Sequence, residues 1–595
     1  MVEPQPRIST IPPGAPFVDA LAAELLARHG AEPLALARAT VLVPTRRACL
    51  ALRDAFLRQS GGAALLLPRI APLGEVDADE AALADEEAFA DAEVPPAISE
   101  LERRFVLTRL VLARGGVEHP DQAVRLAGAL ARLLDQVETE RLGFDALAAL
   151  VPEDYAEHWQ KTLDFLTIVT VHWPGILAER GVVDPAKRRN LLLERLAGRW
   201  RAAPPADPVI AAGSTGSIPA TADLLDVIAR LPAGEVVLPG LDRDADDATW
   251  EAIDDSHPQF GLKRLLARLG VEREAVADWP LAEGVAPTHQ GRARALLTAL
   301  NPAATTDAWR DTPPPPEEAF AGLERIDCPG AQEEAGVIAL RLRAALDEEG
   351  RSAALVTRDR ALARRVAAEL GRWGIEVDDS GGQPLADTAP GSFLRLSAAL
   401  VAEGVTPLAL LAALKHPLAA GGLKPGAFRA RVRALERAAL RGRRPGEGFE
   451  GVARALAGAK QATAPLRRWY AGVAEAAGPF AALTAGERVS LAALVRTHVA
   501  FAEWLAESDV ESGADRLWRG DAGEAAAAFV GELIDGAGEM PTIAGRDYAA
   551  LFDSLAEGRV VRPRYGRHPR LHIWGPLEAR LQHADLMVLG GLNEG

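Results

Sequence analysis

The sequence contains few lysines, few cysteines and no long apolar run, and each scarcity excludes a class of protein. Two cysteines in 595 residues cannot form a disulfide scaffold or the four-thiolate set of an iron-sulfur cluster. No stretch reaches the roughly 18 consecutive apolar residues of a membrane helix, and residues 1–14 hold no apolar signal-peptide core. We therefore expect a cytoplasmic protein with two reduced thiols, Cys49 and Cys328, and no membrane partner.

The six lysines permit a direct test for a P-loop. A working P-loop ends in Gly-Lys-Ser/Thr, because the ammonium reaches the β- and γ-phosphates and the hydroxyl holds magnesium. None of the six lysines follows a glycine. A strand predicted at 7–11 and a helix predicted at 17–28 nevertheless leave the place for such a loop. It contains Pro12, Pro13, Gly14, Ala15 and Pro16, and its prolines remove backbone donors that a phosphate would need. We expect a degenerate loop and no cofactor.

The lysines also exclude the usual nuclease site of restriction-enzyme type. That site needs Asp/Glu-x-Lys, but the residue two positions before each lysine is never acidic. The acidic stretch 242–247 lacks the spaced glycine and terminal glutamate of an EF-hand, so we interpret it as a solvated loop. The histidines are scattered and no Gly-x-Ser-x-Gly elbow is present, although a triad assembled from distant positions stays open. We expect no metal site and no catalytic residue.

The net charge of −17 is not the footprint of a small nucleic-acid-binding protein. It is compatible with DNA binding, because a large protein can carry a local basic channel on an acidic body.

Strands and helices alternate in two regions of the chain, which predicts α/β units with parallel sheets. The strands expected in the first region lie at 7–11, 39–43, 65–70, 208–212 and 235–242. Those of the second lie at 324–328, 352–356, 375–379, 571–574 and 586–592. The last is expected to be buried, and a buried strand at the end of the sequence suggests a cut within a larger protein. An acidic stretch at 75–93 is expected to be a solvated loop. Helical patterns fill the intervals, and a proline-rich stretch at 302–318 reads as a linker.

The ordered segments resemble superfamily 1 helicases of the UvrD/Rep kind. The degenerate loop resembles the nucleotide motif, 41–56 the next motif, 353–382 the first motif of a second core, and 571–595 its last strand-loop unit. The strand at 209–212 ends in Ala211, Ala212 and Gly213 where helicases carry an Asp-Glu pair. Together with 66–77, the pattern resembles still more closely the AddB family, in its alphaproteobacterial form, of the AddAB double-strand-break repair complex.

The resemblance implies two RecA-like cores, each with a mostly helical insertion. The first core is implied at 1–95 and, with a linker, at 205–315, and its insertion at 96–204. The second core is implied at 316–390 and 566–595, and its insertion at 391–565.

The resemblance further implies an inactive helicase fold that pairs with the AddA motor-nuclease and scans the 3′-ended single strand for a Chi-type sequence. The family complex uses ATP and magnesium. The family's exonuclease domain, and the iron-sulfur cluster of some members, are implied to follow residue 595. Many members keep a P-loop able to bind nucleotide, which this sequence lacks.

Four groups of residues are candidates for contact with DNA, and three of them also have an ordinary structural alternative. Thr45, Arg46 and Arg47 stand at a predicted helix N-terminus, where hydroxyl, backbone N–H and guanidinium groups suit a phosphate; the alternative is a plain cap with solvated arginines. Arg69 is a candidate for base or phosphate contact. Ser214, Thr215 and Ser217 form a small-residue loop at a strand end, or only a tight connection. Thr357, Arg358 and Arg360 repeat the first layout, or form a surface pair with Asp359.

Two rival functions remain at this stage. One is a nucleotide-dependent helicase or ATPase with an unrecognised P-loop. The other is an adaptor that binds only proteins.

Overall fold

A computed structural model describes residues 5–73, 94–144, 165–287, 290–562 and 567–593. The predicted acidic loop at 75–93 and the segment 563–566 lie outside these ranges. The fold is α/β, with a six-stranded sheet, a four-stranded sheet and a short antiparallel pair. The strands are β1 (Ile8–Ile11), β2 (Thr40–Val43), β3 (Arg69–Pro72), β4 (Val209–Ala212), β5 (Gly234–Pro239), β6 (Ala277–Asp278), β7 (Ala353–Val356), β8 (Asp378–Asp379), β9 (Gln383–Pro384), β10 (Val560–Val561), β11 (Leu571–Trp574) and β12 (Leu586–Leu589).

The described helices alternate with these strands and fill the intervals between them. They are α1 (Phe17–His29), α2 (Pro33–Arg38), α3 (Arg46–Gln59), α4 (Glu100–Arg114), α5 (Pro120–Glu140), α6 (Trp173–Arg180), α7 (Pro185–Ala202), α8 (Pro219–Arg230), α9 (Asp247–Ala252), α10 (Phe260–Leu269), α11 (Gln290–Ala299), α12 (Ala331–Ala345), α13 (Arg360–Gly371), α14 (Ala389–Ala402), α15 (Pro407–Leu414), α16 (Pro425–Leu435), α17 (Gly448–Gly458), α18 (Ala464–Thr484), α19 (Leu491–Ala506), α20 (Gly513–Leu517), α21 (Gly520–Gly536) and α22 (Tyr548–Ala556). π-Helical turns occupy Ile168–His172 and Glu436–Leu440, and short 3₁₀ segments fill several connections, including Ala303–Arg310 and Glu317–Phe320 within the predicted linker.

The six-stranded sheet has the order β3-β2-β4-β5-β1-β6 and is parallel throughout. The chain runs from β1 outward to β2 and β3, then returns to insert β4 and β5 beside β1. Helices cover both faces, as a parallel sheet requires. On one face α1 and α3 bury Leu21, Leu52 and Phe56, and on the other α7 and α8 bury Leu193 and Leu224. This arrangement is compatible with a RecA-like core, so the prediction of an α/β fold with a parallel sheet is confirmed.

The four-stranded sheet has the order β12-β7-β11-β8 and is also parallel. Its helices α12 and α13 pack on one face, where Leu342, Val366 and Ile573 are fully buried. On the other face Trp574 lies with Ala354 beneath Ala579 and Ala584, which belong to the segment between β11 and β12. That segment therefore takes the place of a covering helix.

The helices between β9 and β10 form the largest apolar cluster of the described residues, and helices from early in the chain join it. Leu101, Phe105 and Val124 of α4 and α5 are buried in the same cluster as Phe393, Phe480 and Phe529. Phe105 also packs against Gly536, where an added Cβ would lie 2.8 Å from its ring. The two helical regions thus share a core.

Five predicted strands differ from the observed ones by three residues or more at one end, or are absent. Two of them are shorter than predicted, because β8 is only Asp378–Asp379 and β5 ends at Pro239. The strand expected at 65–70 lies at Arg69–Pro72, because pairing with β2 sets its register. The strand expected at 324–328 is irregular, and Leu323 and Ile326 are exposed since no neighbouring strand pairs with this segment. The strand expected to be buried at 586–592 is the shorter β12, whose edge position leaves Met587 and Leu589 39% and 59% exposed.

Candidate nucleic-acid interface

The two parallel sheets place most of the predicted site residues at their carboxyl edges, where α/β folds bind ligands. Loops following β1, β2, β4 and β5 lie at this edge of the first sheet, and loops following β7, β8 and β11 at that of the second. Two contacts, Leu581 with Gly213 and Arg47 with Asp378, connect the edges. Arg69 is the exception, because it begins β3 opposite Thr40, the first residue of β2. The structure therefore does not bring Arg69 together with the other candidates.

The loop after β1 is a compact turn whose donors are partly committed. The N–H of Ala15 donates to the carbonyl of Pro12 at 3.3 Å. Gly14 has a φ of +88°, and an added Cβ there would lie 3.5 Å from Pro287. Pro16 caps α1 without a side-chain hydrogen bond. Three prolines and an internal hydrogen bond leave few N–H groups to cradle a phosphate.

The residues at the carboxyl end of β4 are small and apolar, and a side chain from the second unit lies against them. Ala211, Ala212 and Gly213 are buried at this point. Gly213 has a φ of +80°, and a Cβ added to it would overlap Leu581 Cδ1 and lie 3.1 Å from Cδ2. Leu581 also packs against the apolar cluster beneath α1 and α3. Its own φ is +63°, a left-handed value that is uncommon for a residue other than glycine.

Leu581 therefore occupies the space at the carboxyl end of β4. The side chain comes from a turn that begins after β11, so it arrives from the second sheet. A left-handed leucine costs on the order of 1 kcal/mol or more, and surrounding contacts must compensate for it. Two of the remaining loop residues make local contacts. Ser214 Oγ accepts from the N–H of Gly216 at 3.2 Å, Thr215 packs against Gly261 of α10, and Ser217 is exposed.

Thr45 and Arg47 have defined partners at the start of α3. Thr45 caps the helix, accepting from the N–H of Ala48 at 3.1 Å. Arg47 donates to Asp378 of β8 at 2.7 Å and so connects the first unit to the second. Arg46 is exposed beside them. The helix-cap alternative is thus correct for Thr45, and Arg47 is paired across the two units rather than solvated.

Asp378 gathers three basic side chains. Besides Arg47, Arg567 donates to it at 2.8 Å, and His572 Nδ1 lies 3.4 Å away. Burial alone would raise the pKa of this carboxyl group, but His572, Arg47 and Arg567 together hold it far below its usual range. Asp378 is therefore ionised at any physiological pH, and it keeps Arg47 directed toward the second unit.

The loop after β7 forms a helix cap, as the loop after β2 does, but its arginines are arranged differently. Thr357 is buried, and its Oγ1 accepts from the N–H of Asp359 at 3.1 Å. Asp359 caps α13 by accepting from two backbone N–H groups. Arg360 donates to Asp379 at 2.6 Å and packs against Gly381. Arg358 is exposed and has no ion pair with a described residue. The predicted pair with Asp359 is wrong, because Asp359 is a helix cap and Arg360 pairs with Asp379.

Sequence reasoning missed the two residues that connect the units, Asp378 and Leu581. Asp378 was placed in a strand without a partner, and Leu581 in a polar loop. A leucine within the polar stretch LEARLQHAD was the available signal for a buried contact. Its partner Gly213 is too distant in the chain to be inferred from spacing.

In the described ranges no three His, Cys, Asp or Glu side chains are placed to hold a metal ion. The helices that the structure describes include none with the length and apolar character needed to cross a membrane. The chain matches no protein-family model, and no curated protein matches it.

Proposed function

We propose that this chain is a catalytically silent, helicase-like subunit of the AddB type that acts in double-strand-break repair by recombination. In this proposal the chain binds and scans 3′-ended single-stranded DNA in complex with an AddA motor-nuclease. The six-stranded and four-stranded sheets are two RecA-like cores, with the domain bounds predicted from the sequence, and the helical regions are their insertions. The proposal rests on the order of the sequence motifs together with the geometry of the carboxyl edges.

The observation that carries the proposal is the contact of Leu581 with Gly213. A helicase motor needs its phosphates and magnesium at the end of the strand that corresponds to β4. Here that place holds alanines, a glycine and an inserted leucine. Polar caps and arginines persist at the same edges, where backbone N–H groups and positive charge suit a DNA phosphate. The residues that would bind a nucleotide are absent, whereas groups suited to a DNA phosphate are present. This combination supports DNA binding without ATP hydrolysis.

Titration with labelled ATP and magnesium tests whether the loop after β1 binds a nucleotide. We expect no saturable binding to the wild-type chain, because the loop after β1 lacks a lysine and Leu581 fills the adjacent space. Gly14→Ala is the diagnostic variant, since only the rival function predicts a bound nucleotide at this loop. Saturable ATP binding that Gly14→Ala abolishes would overturn the proposal in favour of the helicase or ATPase.

Fluorescence anisotropy with a single-stranded oligonucleotide tests the binding role. Arg46→Ala/Arg47→Ala is expected to weaken binding and to lower the slope of log K against log[salt] by about 1.4, since single strands release about 0.7 counterions for each phosphate neutralised. Asp378→Asn is the matched control, because it breaks the same ion pair while keeping Arg47. Its affinity is expected to equal or exceed that of wild type.

Equal losses in Arg46→Ala/Arg47→Ala and Asp378→Asn would show that the contact between units matters rather than phosphate binding. No detectable DNA binding, even with the AddA partner present, would leave the protein-only adaptor.

A further inference from the structure

A basic surface lies in the second helical region, far in sequence from the candidates at the sheet edges. It is a groove of about 600 Å³ lined by Lys415, Arg429, Ala430, Arg433, Glu436, Arg437 and Arg441. Five of these seven side chains are cations and one is an anion. We call this surface the basic groove. Its local charge is opposite to the net charge of −17 of the whole chain.

Helix geometry aligns the cations of the basic groove. Arg429, Arg433 and Arg437 follow one another at intervals of four residues, along α16 and into the π-helical turn Glu436–Leu440. Side chains at this spacing lie on one face of a helix. With a rise of about 1.5 Å per residue, the row from Arg429 to Arg437 extends over roughly 12 Å. The basic groove is therefore a linear array and not a point site for one small anion.

The central cations of the basic groove have no acidic partner. Glu436 accepts from Lys415 at 2.7 Å and from Arg441 at 2.9 Å, and these two cations lower the pKa of its carboxyl group. By contrast, Arg429, Arg433 and Arg437 make no ion pair with a described residue, and all three are exposed. Three aligned arginines that are exposed and make no ion pair with a described residue leave the positive charge of the basic groove available to an external polyanion.

We infer that the basic groove binds the phosphate backbone of duplex DNA without reading its sequence. An array of roughly 12 Å corresponds to about three or four phosphates of one strand at 3.4 Å of helix axis each. No aromatic side chain lines the groove, whereas single-strand sites stack bases on aromatic rings. The choice of nucleic acid among polyanions rests on the proposed function. The inference goes beyond it by adding a duplex site, in the second helical region, to the single-strand site at the sheet edges.

Anisotropy titrations with a blunt duplex and a single strand of equal length test this site. Arg433→Gln/Arg437→Gln is expected to weaken duplex binding at low salt by about tenfold or more. It should also lower the salt slope by about 1.8, from two lost contacts at 0.9 each. Single-strand affinity should stay within twofold. The control Arg488→Gln/Arg496→Gln removes the same charge from exposed positions of the same helical region outside the groove, and should leave duplex binding unchanged.

The outcomes separate this site from the proposed function. Unchanged duplex binding in Arg433→Gln/Arg437→Gln, with single-strand binding still weakened by Arg46→Ala/Arg47→Ala, would overturn the duplex site alone. Equal loss of both DNA forms in Arg433→Gln/Arg437→Gln would overturn the assignment to duplex. Polyglutamate that competes with duplex as effectively as DNA does would overturn the assignment to nucleic acid. Circular dichroism melting of each variant establishes that the fold is retained.

Discussion

The two α/β units differ in how their sheets are covered. In the first unit, helices pack on both faces of a six-stranded sheet. In the second, helices pack on one face of a four-stranded sheet, and the turn that carries Leu581 covers some of the other. Parallel sheets need both faces buried. The first unit therefore satisfies this requirement with its own helices, whereas the second depends on a turn that is also in contact with the first unit.

The largest expected effects are those of substituting one buried tryptophan in each unit. Trp279 of the first unit donates to Ala20 O at 3.2 Å, whereas Trp574 of the second has no hydrogen-bond partner for its Nε1. Either substitution by Ala should cost about 3–5 kcal/mol. Substitution by Phe should cost about 1 kcal/mol more at Trp279 than at Trp574, because only Trp279 loses a hydrogen bond. Urea unfolding with peptide-resolved hydrogen exchange measures both, and equal costs for the two Phe variants would contradict this difference.

The contact between the units is expected to behave as a coupled pair. Gly213→Ala places a Cβ against Leu581 at a φ of +80°, so strain and overpacking should together cost about 2–4 kcal/mol. Leu581→Ala removes the obstruction, and the double variant should be more stable than the sum of the single effects by about 1 kcal/mol. Leu577→Ala is the control in the same turn, being 71% exposed, and should change stability by less than about 0.5 kcal/mol. Strict additivity would show that the two residues do not interact.

Lowering the pH should destabilise the shared helical core before it affects the contact between the units. Burial lowers the pKa of His498 to about 4, and the ring stays neutral between Ser397 and Tyr548. Its pKa in an unfolded chain is about 6.5, so the unfolded state takes up the proton first as pH falls. The stability of the helical core should be constant above about pH 6.5. It should decline by up to about 3 kcal/mol on acidification to about pH 4.

Asp378 should respond in a different pH window. Because its folded pKa is depressed, its contribution is complete above its unfolded value of about 3.9 and is lost only as pH falls through the lower folded value. Hydrogen exchange of α19 peptides should therefore accelerate between about pH 6.5 and about pH 4, after correction for intrinsic rates, while β11 peptides keep their protection. Parallel acceleration of both would contradict the separation.

The smallest expected effect concerns the ion pair between units. Arg47 and Asp378 are 27% and 23% exposed, so Arg47→Ala should cost about 1–2 kcal/mol, less than for a fully buried pair. The comparison is Arg38→Ala, whose pair with Asp207 has both side chains more than half exposed and should cost less than about 0.5 kcal/mol. Thermal unfolding measures both. A larger cost for Arg38→Ala would show that the Arg47 pair adds little to the contact.

The strands of the first sheet were predictable where an apolar run ends in a turn, as at β1, β2, β4 and β5. The register of β3 was not, because its pairing with β2 decides which residues form the strand. The apolar segment containing Leu323 and Ile326 resembles a strand but lacks a neighbour to pair with, which sequence pattern cannot reveal. Within the site, positions at strand ends followed from topology, whereas Asp378 and Leu581 owe their roles to contacts between distant segments.

The left-handed turn at Leu581 has a mechanical consequence. Opening the cleft between the two sheets would have to withdraw Leu581 from Gly213 and stretch the Arg47–Asp378 ion pair in the same movement. The contact between the two sheets therefore resists opening through one apolar contact and one ion pair, which depend on different physical forces.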